Sequence, residues 1–388
     1  MSDEKGASRR GGLLPLMLGH FTNDIYSNFL PAYIPPLIAK FSLSLTLAGA
    51  ASSVYSSLSS FTQLLFGYAG DRFGRANLVL VAPLITALFM SSVGAMPSYP
   101  LVLGLLVFAA LGTAGFHPLS ASLAGRLSQR RRGLSVSLFV AAGSLGFAFG
   151  PLLATGFISL AGFGRTYLLA LPSLILVAAF WKGARRPAEP TVAERAARQG
   201  SIKALLPLLP LWLVVILRST VQIAFNTFLL VLLEERGLSQ LAGSLVLGLS
   251  LIAGTVGTLG GGYLSDRFGR KWITALSLAL AYPLYFGFLH SGGARSLCLL
   301  AAGWALAAAS NPVILTQAQE LAPGQASMAS AITMGFGWGI AGLLVSLVGW
   351  LADLQGLFAS LNWTVLALPL AAAISLATRE RSEATQAL

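Results

Sequence analysis

Apolar stretches of about 20 residues, bounded by short polar or glycine- and proline-bearing segments, follow one another along this 388-residue chain. A helix needs about 20 such residues to cross a hydrocarbon core. Twelve runs approach or exceed that length: 13–39, 46–69, 77–96, 99–125, 133–160, 165–181, 205–233, 240–263, 272–290, 295–320, 326–351 and 358–377. The short alternating segments of a membrane β-barrel are absent. The pattern predicts an all-α membrane protein with twelve transmembrane helices.

The polar segments between the runs repeat. Gly67-Tyr-Ala-Gly-Asp71-Arg72-Phe-Gly74-Arg75 returns as Gly262-Tyr-Leu-Ser-Asp266-Arg267-Phe-Gly269-Arg270, 195 positions later and identical at seven of nine residues. Each copy joins the second and third runs of its half. His117-Pro118 and Asn311-Pro312 fall 194 apart, as do Asp24 and Arg218. Duplication of this kind predicts two pseudo-symmetric six-helix bundles, residues 1–181 and 204–388, joined by a charged linker, 182–203.

Composition fits that picture. Hydrophobic residues make up 55% of the chain, charged residues 10%, and mean hydropathy is +0.76; soluble domains carry about 25% charged residues. The net charge of +12 invites a nucleic-acid reading, but its distribution argues against one. With the N-terminus placed in the cytoplasm, 20 of the 25 Lys and Arg residues fall on that side. This is the positive-inside asymmetry, so the basic excess orients the chain and both ends are expected inside. The first apolar stretch is too long for a signal peptide and is expected to be retained. Cys298 is the single cysteine, and no metal, phosphate-loop or nucleophile motif appears. No enzyme activity, cofactor, metal or nucleic-acid partner is expected.

An ionisable group inside a span is costly and by default marks a pathway, a relay or a buried pair. Asp24 is such a group: His20, Asn23, Asp24, Ser27 and Asn28 share a helix face of roughly 140°, with His20 one turn before Asp24. Arg218 makes the same case in the seventh run, with Ser219, Gln222 and Asn226 beside it. His117 sits mid-span with Thr113 and Ser120 on its face; it can shuttle protons or bond a neighbouring carbonyl. Gly143, Gly146 and Gly150, followed by Pro151, share an arc of roughly 60°, as small residues do where membrane helices approach closely.

The duplicated loop, the two sets of six runs and the basic linker resemble the major facilitator superfamily. Within it, three patches look most like the fosmidomycin-resistance type of exporter: His20-Phe-Thr-Asn-Asp24 with Leu30-Pro31, Phe116-His117-Pro118, and Gly143-Ser-Leu-Gly146 through Gly150-Pro151. Relatives often carry an acidic residue after His-Pro, where this chain has Leu119. The resemblance implies two bundles around a central cavity lined by the first and seventh helices, so that Asp24 and Arg218 could meet across it. It implies that the loops carrying Gly67, Asp71, Arg72, Gly74 and Arg75, and Gly262, Asp266, Arg267, Gly269 and Arg270, lock and release the cytoplasmic side. It further implies alternating access in a bacterial inner-membrane monomer, with a small-molecule substrate, protons as coupling ion and the lipid bilayer as partner. The expected substrate and proton ligands are His20, Asp24, Asn28, His117, Arg218, Gln222 and Asn226. Proton-driven efflux of a small polar or amphipathic compound is the leading expectation. Uptake of an organic anion steered by Arg218 and a non-transporting membrane sensor remain as alternatives.

Overall fold

A computed structural model describes residues 4–73, 77–127, 132–181, 206–322 and 326–378, and these are helical almost throughout, with no strand among them. The linker 182–203 lies outside the described residues. We number the helices α1 (Glu4–Ser27), α2 (Leu30–Phe41), α3 (Leu45–Phe73), α4 (Asn77–Ser92), α5 (Tyr99–Leu127), α6 (Arg132–Ala161) and α7 (Ala170–Trp181). In the second half follow α8 (Leu209–Glu235), α9 (Gln240–Phe268), α10 (Arg270–His290) and α11 (Gly293–Leu321). The chain then runs through α12 (Ala326–Ser330), α13 (Gly337–Gln355), α14 (Leu357–Thr364) and α15 (Ala367–Leu376). Each of the twelve predicted runs falls on one of these helices or on a consecutive group. Among the described residues, eight helical segments are long and apolar enough to cross a bilayer unaided.

The departures from single unbroken helices have local causes. The first run is two helices, because Pro31 has no N–H to give the preceding turn and its ring crowds the carbonyl four residues earlier; it sits in the first turn of α2. The chain turns at Asn28 and Phe29 instead, closing with Phe29 N–H to Tyr26 O at 3.2 Å and Ala32 N–H to Phe29 O at 3.0 Å. The eleventh run contains a π-helical turn, Ala331–Phe336, between α12 and α13. Such turns insert a residue into the ladder and re-aim the side chains that follow.

The chain divides into two compact units. One comprises Met1–Ser44, Val54–Pro190 and Thr227–Gly248; the other Leu45–Ser53, Thr191–Asn226 and Leu249–Leu388. In this division α3, α8 and α9 are each split between the units.

In the first unit α1 packs along α6, with α4 and α5 against it. The α1–α6 contact is close because a Cβ on Gly146 would overlap the backbone of Phe21, and one on Gly150 would lie 2.5 Å from the Ile25 carbonyl oxygen. Asn28 fastens the same contact, its Nδ2 donating to Phe147 O at 2.8 Å. The α9 segment Gln240–Gly248 joins this unit through Thr155 and Ser244, whose hydroxyls are 2.6 Å apart.

In the second unit α10 packs along α11, and α9 meets α11 at Gly257 and Gly261, where a Cβ would run into the backbone of Ala305 and Ala309. Leu45–Ser53 belongs here because Asp353, at the end of α13, accepts hydrogen bonds from Leu45 N at 2.7 Å and Thr46 N at 2.8 Å. Deeper along the same helix, Ser53 Oγ donates to Gly342 O at 2.7 Å.

Candidate functional site

Residues from two helices of the first unit, α1 and α5, meet around Asp24. His20, one turn earlier on α1, places Nε2 3.2 Å from Oδ2; His117 on α5 places Nε2 3.4 Å from Oδ1. Asn23 Nδ2 donates to Oδ1 at 3.0 Å. Asp24 and His20 are 8% and 7% exposed, while the His117 side chain keeps 29% of its surface. His117 is therefore the open flank of the cluster.

The His20 ring is fixed on every side. It stacks on Phe139 at 4.1 Å between centroids, has Phe116 at 5.6 Å, and meets His117 edge-on at 5.3 Å. Gly143 lies against it so closely that a Cβ would overlap the imidazole. Nδ1 sits 2.8 Å from Phe139 O. A carbonyl oxygen can only accept, so Nδ1 carries a hydrogen. The Nε2 lone pair of a neutral His20 would then face a carboxylate oxygen, two acceptors with nothing between them. The 3.2 Å contact is therefore stable only with a proton in it, on the imidazole or on the carboxyl.

A buried polar chain supports the cluster from behind. Asn23 Oδ1 accepts from Thr86 Oγ1 at 3.1 Å; Thr86 and Thr113 hydroxyls lie 3.4 Å apart; Thr113 pairs with Tyr55 OH at 2.8 Å. Each added link restricts the rotamers of the one before it, which holds Asp24 in register with both histidines. The three ligand atoms of His20, Asp24 and His117 also lie within 4.8 Å of one another, a spacing a divalent ion could share.

Arg218 finds its partners inside the second unit. Its side chain is 1% exposed; Nη1 donates to Gln222 Oε1, Nη2 donates to Ser219 Oγ at 2.8 Å, and the guanidinium lies 5.3 Å from the Trp338 ring. Trp338 comes from α13, two residues after the π-helical turn.

The second loop copy is an ion-pair cluster. Gly269 caps α10 at φ +88°, a backbone setting that favours glycine, and so lets α9 pass directly into α10. Arg270 donates to Asp266 Oδ1 at 2.7 Å, Ser265 Oγ at 2.8 Å and Glu320 Oε1 at 3.0 Å. Arg267 lies over the Tyr263 ring at 4.7 Å. Gly262 sits inside α9 near Pro312 of α11. In the first copy Gly67 belongs to α3, Gly74 and Arg75 lie outside the described residues, and so do the side chains of Asp71 and Arg72.

Of the residues selected from sequence, then, His20, Asp24 and His117 come together, and Arg218 meets Gln222. Asn28 turns toward α6, Asn226 lies two turns beyond Arg218 on α8, and Gly143, Gly146 and Gly150 face α1, with Pro151 following on α6. Sequence reasoning missed Thr86, Tyr55, Trp338 and Glu320. A search for charges at span ends would have found Glu320; the Phe139 carbonyl has no sequence signature at all.

Comparison with known proteins places this geometry in context. The profile of the Major Facilitator Superfamily matches residues 16–346. The chain is 29% identical to the fosmidomycin resistance protein of Escherichia coli (strain K12) over 370 residues, 91% of this chain and 89% of that one. It is 26% identical over 357 residues to the uncharacterized MFS-type transporter YfnC of Bacillus subtilis (strain 168), covering 89% and 87%. Among solved structures, a bacterial homolog of the human lysosomal transporter Spinster, inward-facing and occupied, superposes with a TM-score of 0.76. That match has 17% identity and covers 94% of this chain and 96% of the other. The nucleoside transporter NupG gives 0.72 at 17% identity, covering 94% and 98%. At such identities these two structures speak to the fold alone.

Proposed function

We propose, for a chain that belongs to the Major Facilitator Superfamily, proton-coupled efflux of a small polar or amphipathic compound by alternating access. The observation that carries this reading is the proton slot between His20 Nε2 and Asp24 Oδ2, 3.2 Å wide and almost closed to solvent. With the proton present, the pair is balanced. Without it, a carboxylate stays buried opposite a lone pair, at a cost of several kcal/mol. A conformational change or a bound substrate that alters the surroundings of Asp24 must therefore alter proton affinity, and by linkage the proton alters substrate affinity equally.

His117 occupies the exposed flank and is the group through which the proton enters and leaves. The hydrogen-bond spacing around Asp24 suits a proton, and chelators are expected to leave flux unchanged. Export as the direction rests on similarity to the fosmidomycin resistance protein over most of both chains, together with the glycine-rich α6 running into Gly150-Pro151. The ion-pair cluster of Arg270, Asp266 and Glu320 serves as a cytoplasmic lock. The protein works as a monomer in a bacterial inner membrane with both termini in the cytoplasm.

Flux in vesicles under an imposed pH gradient tests the reading. Asp24→Asn is expected to abolish gradient-driven transport while the protein still inserts and remains monodisperse in detergent. Gradient-driven transport retained by that variant rejects the proton slot. Movement with the gradient rather than against it makes the protein an importer, and binding without any flux leaves only a sensor.

A further inference from the structure

We infer that Arg218 and the aromatic groups around it form a binding site for the oxyanion of the substrate, a carboxylate, phosphonate or phosphate on a small organic molecule. The starting point is an imbalance of charge. Arg218 is almost completely buried, and among the described residues no carboxylate lies within ion-pair distance of it. Its two side-chain acceptors, Gln222 Oε1 and Ser219 Oγ, are neutral. A buried cation without a counter-ion is strongly unfavourable, so the fold holds a charge that something else must neutralise.

Unused hydrogen-bonding capacity at the same place identifies that partner. Arg218 Nε is buried without an acceptor, and so are Trp338 Nε1, Trp212 Nε1 and the Tyr285 hydroxyl. Three of the four are N–H groups, which can only donate, and the phenol can donate too. The Trp338 ring lies 5.3 Å from the guanidinium, and Tyr285 packs on Phe225, two turns after Arg218 on α8. Trp212 approaches Gly337, the residue before Trp338, to within 3.6 Å of where a Cβ would stand.

An unmet donor on a buried guanidinium, with further unmet donors on Trp338 against it and on Tyr285, calls for a ligand that accepts several hydrogen bonds and carries negative charge. A neutral amide can accept but carries no charge, and a cation meets neither requirement. With Nη1 and Nη2 each using one hydrogen on Gln222 and Ser219, the Nε–Nη edge remains able to grip two oxygens of one anionic group. Phe225, 4.7 Å from Tyr285 between ring centroids, supplies an apolar wall for the body of the molecule. The π-helical turn Ala331–Phe336 ends two residues before Trp338, and such turns concentrate at functional sites.

This inference rests on the transporter reading for its meaning but not for its test. Purified protein is titrated with benzoate, phenylphosphonate and the uncharged analogue benzamide, following tryptophan fluorescence, since Trp338 is part of the site. Both anions are expected to give saturable changes and benzamide none. Arg218→Gln should weaken anion binding by about 10- to 100-fold, the loss expected on removing hydrogen bonds to a charged group. Arg218→Lys should recover part of it, because charge returns without the planar fork.

Should Arg218→Gln fail to fold, Tyr285→Phe serves instead. It removes one unpartnered hydroxyl from a packed ring, keeps the fold, and should cost about 2- to 10-fold in anion affinity. No response of the wild-type protein to either anion overturns the proposal, as does equal binding of benzamide or anion affinity unchanged in both Arg218→Gln and Tyr285→Phe. Saturable, Arg218-dependent anion binding without pH-driven flux upholds the site and rejects the transport reading. PH-driven flux of a compound indifferent to Arg218→Gln does the reverse.

Discussion

Gly146→Ala is the sharpest test of how α1 is positioned. A Cβ at Gly146 would stand 3.0 Å from both the Cα and the carbonyl carbon of Phe21, and nearer still to its oxygen. Carbon pairs prefer about 3.5–4.0 Å, and the obstacle is backbone, which cannot rotate out of the way. The two helices must therefore separate by about 0.5–1 Å. Two hydrogen bonds span the same seam, His20 Nδ1 to Phe139 O and Asn28 Nδ2 to Phe147 O, both 2.8 Å. Separation takes them toward the limit at which a hydrogen bond fails.

Overpacking costs about 1–3 kcal/mol, each weakened hydrogen bond about 0.5–1.5 kcal/mol, and alanine returns about 1 kcal/mol of helix propensity. The net expectation is a loss of about 1–5 kcal/mol. Gly156, on the same helix, has nothing within 4 Å of its Cβ position, so Gly156→Ala is the matched control and should be neutral or stabilising. Thermal unfolding of both variants in detergent, followed by loss of the monodisperse chromatographic peak, measures the difference. Equal melting of the two variants would refute the close α1–α6 contact and, with it, the argument that fixes the hydrogen on His20 Nδ1.

Other expectations follow from single contacts. Asp353→Ala removes the carboxylate that caps α3 at Leu45 and Thr46. It should cost about 1 kcal/mol and speed hydrogen exchange at those two amides, whereas Asp353→Asn, also a good cap, should do so much less; identical exchange in all three proteins rejects the cap. Glu320→Gln takes away the charge that holds Arg270 from α11. If this cluster is a lock, turnover should fall while apparent substrate affinity stays close to normal, and an equal change in both argues for a merely structural pair. Thr86→Val breaks the chain behind Asn23 and should lower stability by about 1–3 kcal/mol through the unpaired buried amide, measurable as a lower melting temperature; an unchanged melting temperature refutes the support role.

Fold class was legible in the chain alone, because apolar length is set by the bilayer, which acts on every segment independently. The chain also determined that Asp24 and Arg218 are unusual, since an ionisable group in an apolar run is visible without knowing its neighbours. The glycines of α6 were legible for the same reason: their spacing is a property of one helix. The partners of those groups emerge from packing alone. Asp24 meets His117 because α1 and α5 pack side by side, a pairing that no local pattern encodes. His20 is held by a backbone carbonyl, and Trp338 follows a π-helical turn that leaves little trace in composition. Periodicity reports which face of a helix is polar; which helix faces it is set by packing between segments far apart in the chain.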